Sequence, residues 1–289
     1  MKPRPVFSDM PRHIKERIIG HMCPIFSNHK LSLRRCSKEF RNLIDNSPIQ
    51  YNTVQISYKY ISSPVITVLT RRVNASIDRQ LEFSAHGLGF IVQNKRAGWK
   101  KFVNQSDFVP AALERFMKIV KNPKHRIITL ALPGSFSLQE TDLRSRRGRG
   151  GGQFYADFLN SLASLPFKLC LERFFVDEHA YEHEMIGVLS YLEPGTLKEV
   201  HIKLSSITLV TFKKFIDLFM ENSTLLQIDI ETHRTNESTT SISRYLNQFD
   251  QNGLDRFKIP IVGTDSHLEV QFECLRTSAA LIINIERKC

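Results

Sequence analysis

Residues 185–202 read MIGVLSYLEPGTLKEVHI, and the architecture of most of the chain turns on how they are read. Met185, Val188, Leu189 and Leu192 recur at three- and four-residue steps, the spacing of one apolar helix face. Pro194-Gly195 ends that helix, and Leu197-x-x-Val200-x-Ile202 follows with the alternation of a strand buried on one side. The same order of helix, breaker and strand recurs in both directions. Val109, Leu113, Phe116 and Val120 predict a helix over 108–120 that stops at Asn122-Pro123 and leads to Ile127-x-x-Leu130-x-Leu132. Phe154, Phe158, Leu162 and Leu165 predict another, stopped by Pro166 and followed by Leu171-x-x-Phe174-x-Val176. Leu209, Phe212, Ile216 and Phe219 precede Leu225-x-x-Ile228-x-Ile230. Ile242, Leu246 and Phe249 precede Asn252-Gly253 and Leu254-x-x-Phe257-x-Ile259.

These strand patterns start at 127, 171, 197, 225 and 254, so they are spaced by 44, 26, 28 and 29 residues. The last three spacings match a leucine-rich-repeat unit, and the first does so if one long loop is inserted. Strands separated by helices pair in parallel, and each unit hides its apolar faces only against its neighbours. The position normally held by an inward Asn holds Ser135, His179, Ser205, His233 and Val262 instead, which argues for an irregular, curved solenoid.

From Tyr51 to about Phe102 the texture is different. Thr53 to Tyr60, Pro64 to Leu69 and Ile77 to Phe83 alternate, and Gly87, Gly89 and Gly98 mark turns, so short strands in hairpins are expected. The sole tryptophan, Trp99, sits among cations in Lys95-Arg-Ala-Gly-Trp-Lys-Lys. Such an aromatic can stack on a base, but a loop tryptophan folded onto the next domain is the plainer reading.

Before residue 50 two short helices are expected. Ser8 or Asp9 can cap the first, Pro11 fits its opening turn, and Ile14, Ile18 and Met22 share a face away from Arg12, Lys15, Glu16 and Arg17. Pro24 stops it. The second carries Leu33, Cys36, Phe40 and Leu43 on one stripe, with Arg34, Arg35, Lys38 and Arg41 mostly on the other. A segment of roughly 40 residues cannot bury enough apolar surface to stand alone, so this module is read as an interaction element.

Phe7-Ser-Asp-Met-Pro11, Ile14/Ile18/Ile19, Leu33-Arg-Arg-Cys-Ser-Lys38, Phe40-Arg41 and Leu43-Ile-Asp45 resemble an F-box of the form that opens many nematode F-box proteins. Met22-Cys-Pro24, and about three extra residues near Phe26-Ser-Asn28, depart from that form. The resemblance implies a three-helix motif that docks on the Skp1 adaptor of a cullin-RING ubiquitin ligase, through Met10, Pro11, Ile14, Ile18, Ile19 and Leu33. Leu113-Glu-Arg-Phe with Lys121-Asn-Pro-Lys, Phe158-Leu-Asn-Ser-Leu, and Leu189-Ser-Tyr-Leu-Glu-Pro-Gly-Thr-Leu-Lys-Glu-Val200 resemble the FTH domain that follows such F-boxes. That resemblance implies a substrate-recruiting, protein-binding half.

The expected organisation is an F-box at 5–50, a strand-rich connecting segment at 51–102 and an FTH or leucine-rich-repeat-like α/β repeat domain at 103–289. The expected fold class is mixed α+β and α/β, with a parallel sheet in the repeats. At 289 residues, 42% hydrophobic and 24% charged, the chain has an ordinary globular composition. No apolar window spans a membrane and no apolar signal core follows Met1. The five scattered cysteines (23, 36, 170, 274 and 289) never form C-x-x-C, which points to reduced, mostly buried thiols and to a cytoplasmic or nuclear protein.

Forty Lys and Arg against 29 Asp and Glu leave a net charge of +11, which is compatible with RNA. The excess is spread, as in Lys30–Arg41 and Arg144–Arg149, so solubility and encounter are the simpler account. The Arg/Gly tract from Arg144 to Gly152 is expected to be a flexible insert, with RNA binding as the alternative. His179 and His183 lie four apart among acids but do not form H-E-x-x-H, so a solvated helix start is expected and no metal. No cofactor or catalytic residue is assigned, since no G-x-S-x-G or comparable local motif occurs.

The repeat pattern itself points to a binding face. Residues flanking the central apolar position turn away from the core. They are Thr129 and Ala131, Arg173 and Phe175, Glu199 and His201, Gln227 and Asp229, Arg256 and Lys258. An unknown target protein is expected there, with Phe175 and Arg173 as anchors.

Overall fold

The computed structural model describes residues 10–11, 13–15, 38, 41, 49–60, 64–73, 79–104, 108–133, 151–176, 179–233, 236–249, 256–261, 263–274 and 280–288. Within them one mixed sheet of twelve strands organises the molecule. It opens with an antiparallel meander: β1 (Ile49–Tyr60), β2 (Pro64–Arg72), β3 (Arg79–His86), β4 (Gly89–Asn94) and β5 (Trp99–Val103). The hairpins expected after Tyr51 are therefore present. Gly87 and Gly98 turn with φ of 59° and 67°. Gly89 is not a turn but the first residue of β4, where a Cβ would meet the Val103 carbonyl at 2.2 Å.

Helices and strands then alternate: α1 (Phe108–Val120), β6 (His125–Leu132), α2 (Gly151–Ala163), β7 (Arg173–Val176), α3 (Glu182–Leu189), β8 (Glu199–Leu204), α4 (Leu209–Glu221) and β9 (Gln227–His233). Strands β6 to β9 pair in parallel, in sequence order. Successive right-handed crossovers moving one way along a sheet put their helices on one side, and consecutive helices touch their neighbours. The strand patterns form the core as the spacing requires. Ile127, Leu130, Leu132, Leu171, Phe174, Val176, Leu197, Val200, Ile202, Leu225, Ile228 and Ile230 are all buried. From the helices, Leu113, Phe116, Phe158, Leu162, Met185, Val188, Phe212, Phe219, Ile242 and Leu246 meet them.

The strand-rich segment does not stand apart from the repeats. Strand β1 pairs in parallel with β6, with Tyr51 opposite Ile127 and Thr53 opposite Thr129. Helix α1 packs on β2 and β3 as well as on β1 and β6. Beginning at Ile49, the chain enters the middle of the sheet directly.

The solenoid expectation fails at its fifth unit. Following α5 (Asn236–Leu246), β10 (Arg256–Pro260) lies at the sheet edge and not beside β9. The neighbour of β9 is the last strand, β12 (Ala280–Lys288), running antiparallel, with β11 (His267–Cys274) between β12 and β10. Leu281, Ile283 and Ile285 are at most 1% exposed, so β12 offers β9 a fully apolar inner face and an antiparallel ladder. Arg287 secures it. Its guanidinium donates to the carbonyls of Phe219 (2.6 Å), in the last turn of α4, and of the C-cap Asn222 (3.0 Å). Phe249, placed on the α5 core face by its spacing, lies past the helix end and is 43% exposed.

A linear repeat stack loses one unit when its last unit is removed. This sheet should behave otherwise. Truncation after residue 279 is expected to expose β9 and detach β10 and β11, abolishing a single cooperative urea transition followed by circular dichroism. Ile283→Ala should cost about 2–5 kcal/mol in the same measurement.

Candidate functional site

The face of the sheet turned away from the helices carries the residues that the repeat pattern singles out, in two continuous rows. Thr129, Arg173, Glu199 and Gln227 stand side by side on β6 to β9, as do Ala131, Phe175, His201 and Asp229. Side chains of paired residues leave a sheet on the same side. The burial of β8 alternates strictly, with Glu199, His201 and Lys203 half-buried between the fully buried Val200, Ile202 and Leu204. Thr129 and Ala131 are themselves buried at the start of the rows.

Arg256 and Lys258 share this face but not this neighbourhood. Because β12 and β11 intervene, Gln227 is followed by Glu286, Glu269 and then Lys258, and Asp229 by Asn284, Gln271 and then Arg256. Repeat reasoning missed these intervening residues. Their signal was the alternation in HLEVQFEC (267–274), whose Leu268, Val270 and Phe272 are buried.

At the centre, Phe175 and His201 stack with ring centroids 4.5 Å apart and planes 6° from parallel. His201 Nδ1 donates to Asp229 Oδ2 at 2.7 Å, and Gln227 Nε2 donates to the same carboxylate at 2.9 Å. Burial pushes the Asp229 carboxyl up, but hydrogen bonds from His201 and Gln227 outweigh it and hold the group below its ordinary value. Phe175 is thus a half-buried aromatic held flat against an oriented ring. Around it the charges are paired: Arg173 with Glu199 (4.0 Å), Lys203 with Glu231 (2.8 Å), Arg256 with Glu269 (3.8 Å) and Lys288 with Glu286. Among the described residues the polar partners of His201 are the carboxylates of Asp229 and Glu199, which orient the ring.

A cleft of about 560 Å³ opens at the helix starts beyond β8, lined by Tyr181, Glu182, His183, Ser205, Ser206 and Lys214 among others. Glu182 occupies the N-terminus of α4. It accepts from the Thr208 N–H (3.0 Å), the Thr208 hydroxyl (2.8 Å), the Ser206 hydroxyl (3.2 Å) and the Thr211 hydroxyl. The protein's own carboxylate therefore takes the place an external anion would have. The expected helix start at 177–184 is realised only from Glu182, so His179 precedes the helix and shares no helical face with His183. His179 instead donates to the Leu204 carbonyl at 3.0 Å, while His183 stacks on Tyr181.

Cys170, expected among buried thiols, is exposed, because its neighbours Leu169 and Leu171 take the inward positions. Trp99 is not a loop residue but lies on β5, 44% exposed. Of the Arg/Gly tract, Gly151 and Gly152 form the start of α2, and Arg144 to Gly150 lie outside the described residues.

At the N-terminus, the Pro11 carbonyl accepts from the N–H of Ile14 (3.0 Å) and of Lys15 (3.2 Å), which is the expected opening turn. Met10 and Ile14 are half-buried and Pro11 is exposed, whereas Lys15, assigned to the polar side, is 4% exposed. Ile18, Ile19 and Leu33 lie outside the described residues, while Lys38 and Arg41 are helical and exposed as expected. A family model of the F-box domain matches residues 7–51, so the chain carries an F-box followed by the sheet. No curated protein and no solved structure matches the chain.

The Asp229 cluster makes a pH-dependent prediction. A carboxylate held below its unfolded pKa stabilises the fold above that unfolded value and ceases to do so as pH falls through the folded one. Asp229→Asn should therefore be less stable than the parent protein by about 1 kcal/mol at pH 7. The gap should close as pH falls below about 4. Urea midpoints measured across pH test this, and a gap independent of pH would remove the assignment.

Proposed function

We propose that this protein is a non-enzymatic adaptor that brings a target protein to an SCF-type ubiquitin ligase. Its F-box would dock on a Skp1-like partner, and through it on a cullin, by burying Met10, Pro11, Ile14, Ile18, Ile19 and Leu33. The observation that carries this reading is the F-box match at residues 7–51, with β1 starting at Ile49 inside it. The matched range and the strand overlap at residues 49–51. A target held on the sheet would be fixed relative to the ligase, and positioning of this kind is the physical work of an adaptor.

The target-binding surface in this reading is the polar sheet face centred on Phe175, Arg173, Glu199, His201, Gln227 and Asp229, with Arg256 and Lys258 at its far margin. A stacked aromatic amid charges of both signs favours a protein ligand over a nucleic-acid backbone, because the carboxylates of Glu199, Asp229, Glu231, Glu269 and Glu286 share that face. We read the C-terminal half as an FTH domain of the nematode type, and the cytoplasm or nucleus as its place of work.

Replacing both Ile14 and Ile18 by Asp places unpaired charge in the docking surface. Retention of a purified Skp1-type protein in a pull-down should be lost, with the thermal transition of the sheet unchanged. Phe175→Ala and Arg173→Glu should each weaken target capture by about tenfold or more while Skp1 retention persists. Near-parental Skp1 binding by the double Asp variant would refute the adaptor reading.

A further inference from the structure

The edge strand β5, read WKKFV from Trp99 to Val103, pairs with β4 on one side and, among the described residues, ends the sheet on the other. Natural edges are kept short and charged because their outward N–H and C=O groups invite another strand. This edge is short and has its lysines, yet Trp99 is 44% exposed and Phe102 52% exposed. Lys95 is paired with Glu82 at 2.9 Å. Arg96, Lys100 and Lys101 are exposed and make no ion pair with any described residue. Two exposed aromatics, three cations without an ion pair and a backbone edge without a partner strand, all among the described residues, thus lie within eight residues, 96–103.

The geometry tells which partner fits. Alternation sends Trp99, Lys101 and Val103 to one face and Lys100 and Phe102 to the other. Their partners agree. Lys101 stands opposite Val92 and Val92 opposite Phe83, on the face covered by α1; Phe102 stands opposite Ile91, on the other. Each face of the edge therefore has one aromatic and one lysine. A platform that stacks successive bases needs its aromatics on one face, so this arrangement does not suit single-stranded nucleic acid. A second copy of β5 would set Lys100 and Lys101 near their own like, which is destabilising across strands. An added strand of opposite charge uses both faces and the backbone at once.

We propose that β5 is a docking edge for an extended acidic segment of a partner protein, which adds a thirteenth strand to the sheet. The segment has the pattern apolar–acid–acid–apolar, complementary in order to Trp99-Lys100-Lys101-Phe102. Because that pattern reads the same in both directions, parallel and antiparallel docking are both served. The acidic side chains meet Lys100 and Lys101 on opposite faces, and the apolar ones cover Trp99 and Phe102. The inference rests on the sheet edge alone and holds whether or not the F-box half docks on Skp1.

Trp99 is the sole tryptophan, so its emission reports on this edge directly. The full chain is titrated with a synthetic decapeptide bearing Ile-Glu-Glu-Ile between threonines. Saturable binding with a blue shift of the emission is expected. The Lys100→Glu/Lys101→Glu variant should lose at least about tenfold in affinity for that peptide, and should bind the Ile-Lys-Lys-Ile counterpart instead. N-methylation of alternate peptide amides should abolish binding with the side chains intact, since a strand needs its backbone donors. The idea is overturned if N-methylation has no effect, if the charge-swapped pair fails to exchange preference while circular dichroism stays parental, or if oligouridylate moves the Trp99 emission and the peptide does not. Concentration-dependent dimerisation abolished by the same double variant would also overturn it, in favour of a second copy.

Discussion

The antiparallel ladder between β12 and β9 is the contact on which the rest of the sheet depends. Parallel strands β6 to β9 present an open edge at β9, and the chain closes it with its own last strand. Arg287 makes the closure specific, because its guanidinium binds carbonyls at the C-terminal end of α4, the helix that delivers β9. Registry of β12 is thereby tied to the end of one helix, where the dipole favours a cation. At the other end β1 covers β6, and β2 to β5 continue the meander outward. A repeat block with both edges covered has no face on which to add further units, and it becomes a finite sheet.

This closure also shapes the candidate binding face. By inserting β12 and β11, the fold replaces what would have been a run of basic residues next to Asp229 with Asn284, Glu286, Gln271 and Glu269. Glu286 stands directly opposite Glu269, a like-charge pair relieved by Lys288 on one side and Arg256 on the other. The centre of the face is therefore rich in carboxylates in a chain of net charge +11. Cross-strand ion pairs at partly exposed positions contribute little stability each. Their larger effect is to hold side chains in register around the Phe175–His201 stack, which leaves the face ordered.

The cations of β5 and of the turn before it lie outside that paired network among the described residues. Arg96, Lys100 and Lys101 border a backbone edge that no described strand pairs, whereas Lys95, the residue before Arg96, is engaged by Glu82, which also accepts from Gln80 and Gln93. Burial pushes the Glu82 carboxyl up, and the hydrogen bonds from Lys95 and Gln93 more than reverse this. The contrast is between an exposed turn lysine held by Glu82 and neighbouring cations that have no ion pair among the described residues.

What the sequence determined by itself is local. Periods of 3.6 and 2 place Phe116, Phe158, Phe174, Val200 and Ile228 in the core and turn Phe175, His201 and Asp229 out of it, because a side chain's direction follows from its position in a helix or strand. The parallel order of β6 to β9 was legible for the same reason, since a strand, a helix and a strand in short succession allow one economical pairing. Only the tertiary structure decided that β12 would displace β10 from β9, that Lys15 would be buried, and that His179 would bind the Leu204 carbonyl outside any helix. Those outcomes join residues far apart in the chain, such as Ile283 with Ile230 or Arg287 with Phe219. No period records them, because two apolar strands of equal propensity compete for the same edge and the complete set of side-chain contacts selects between them.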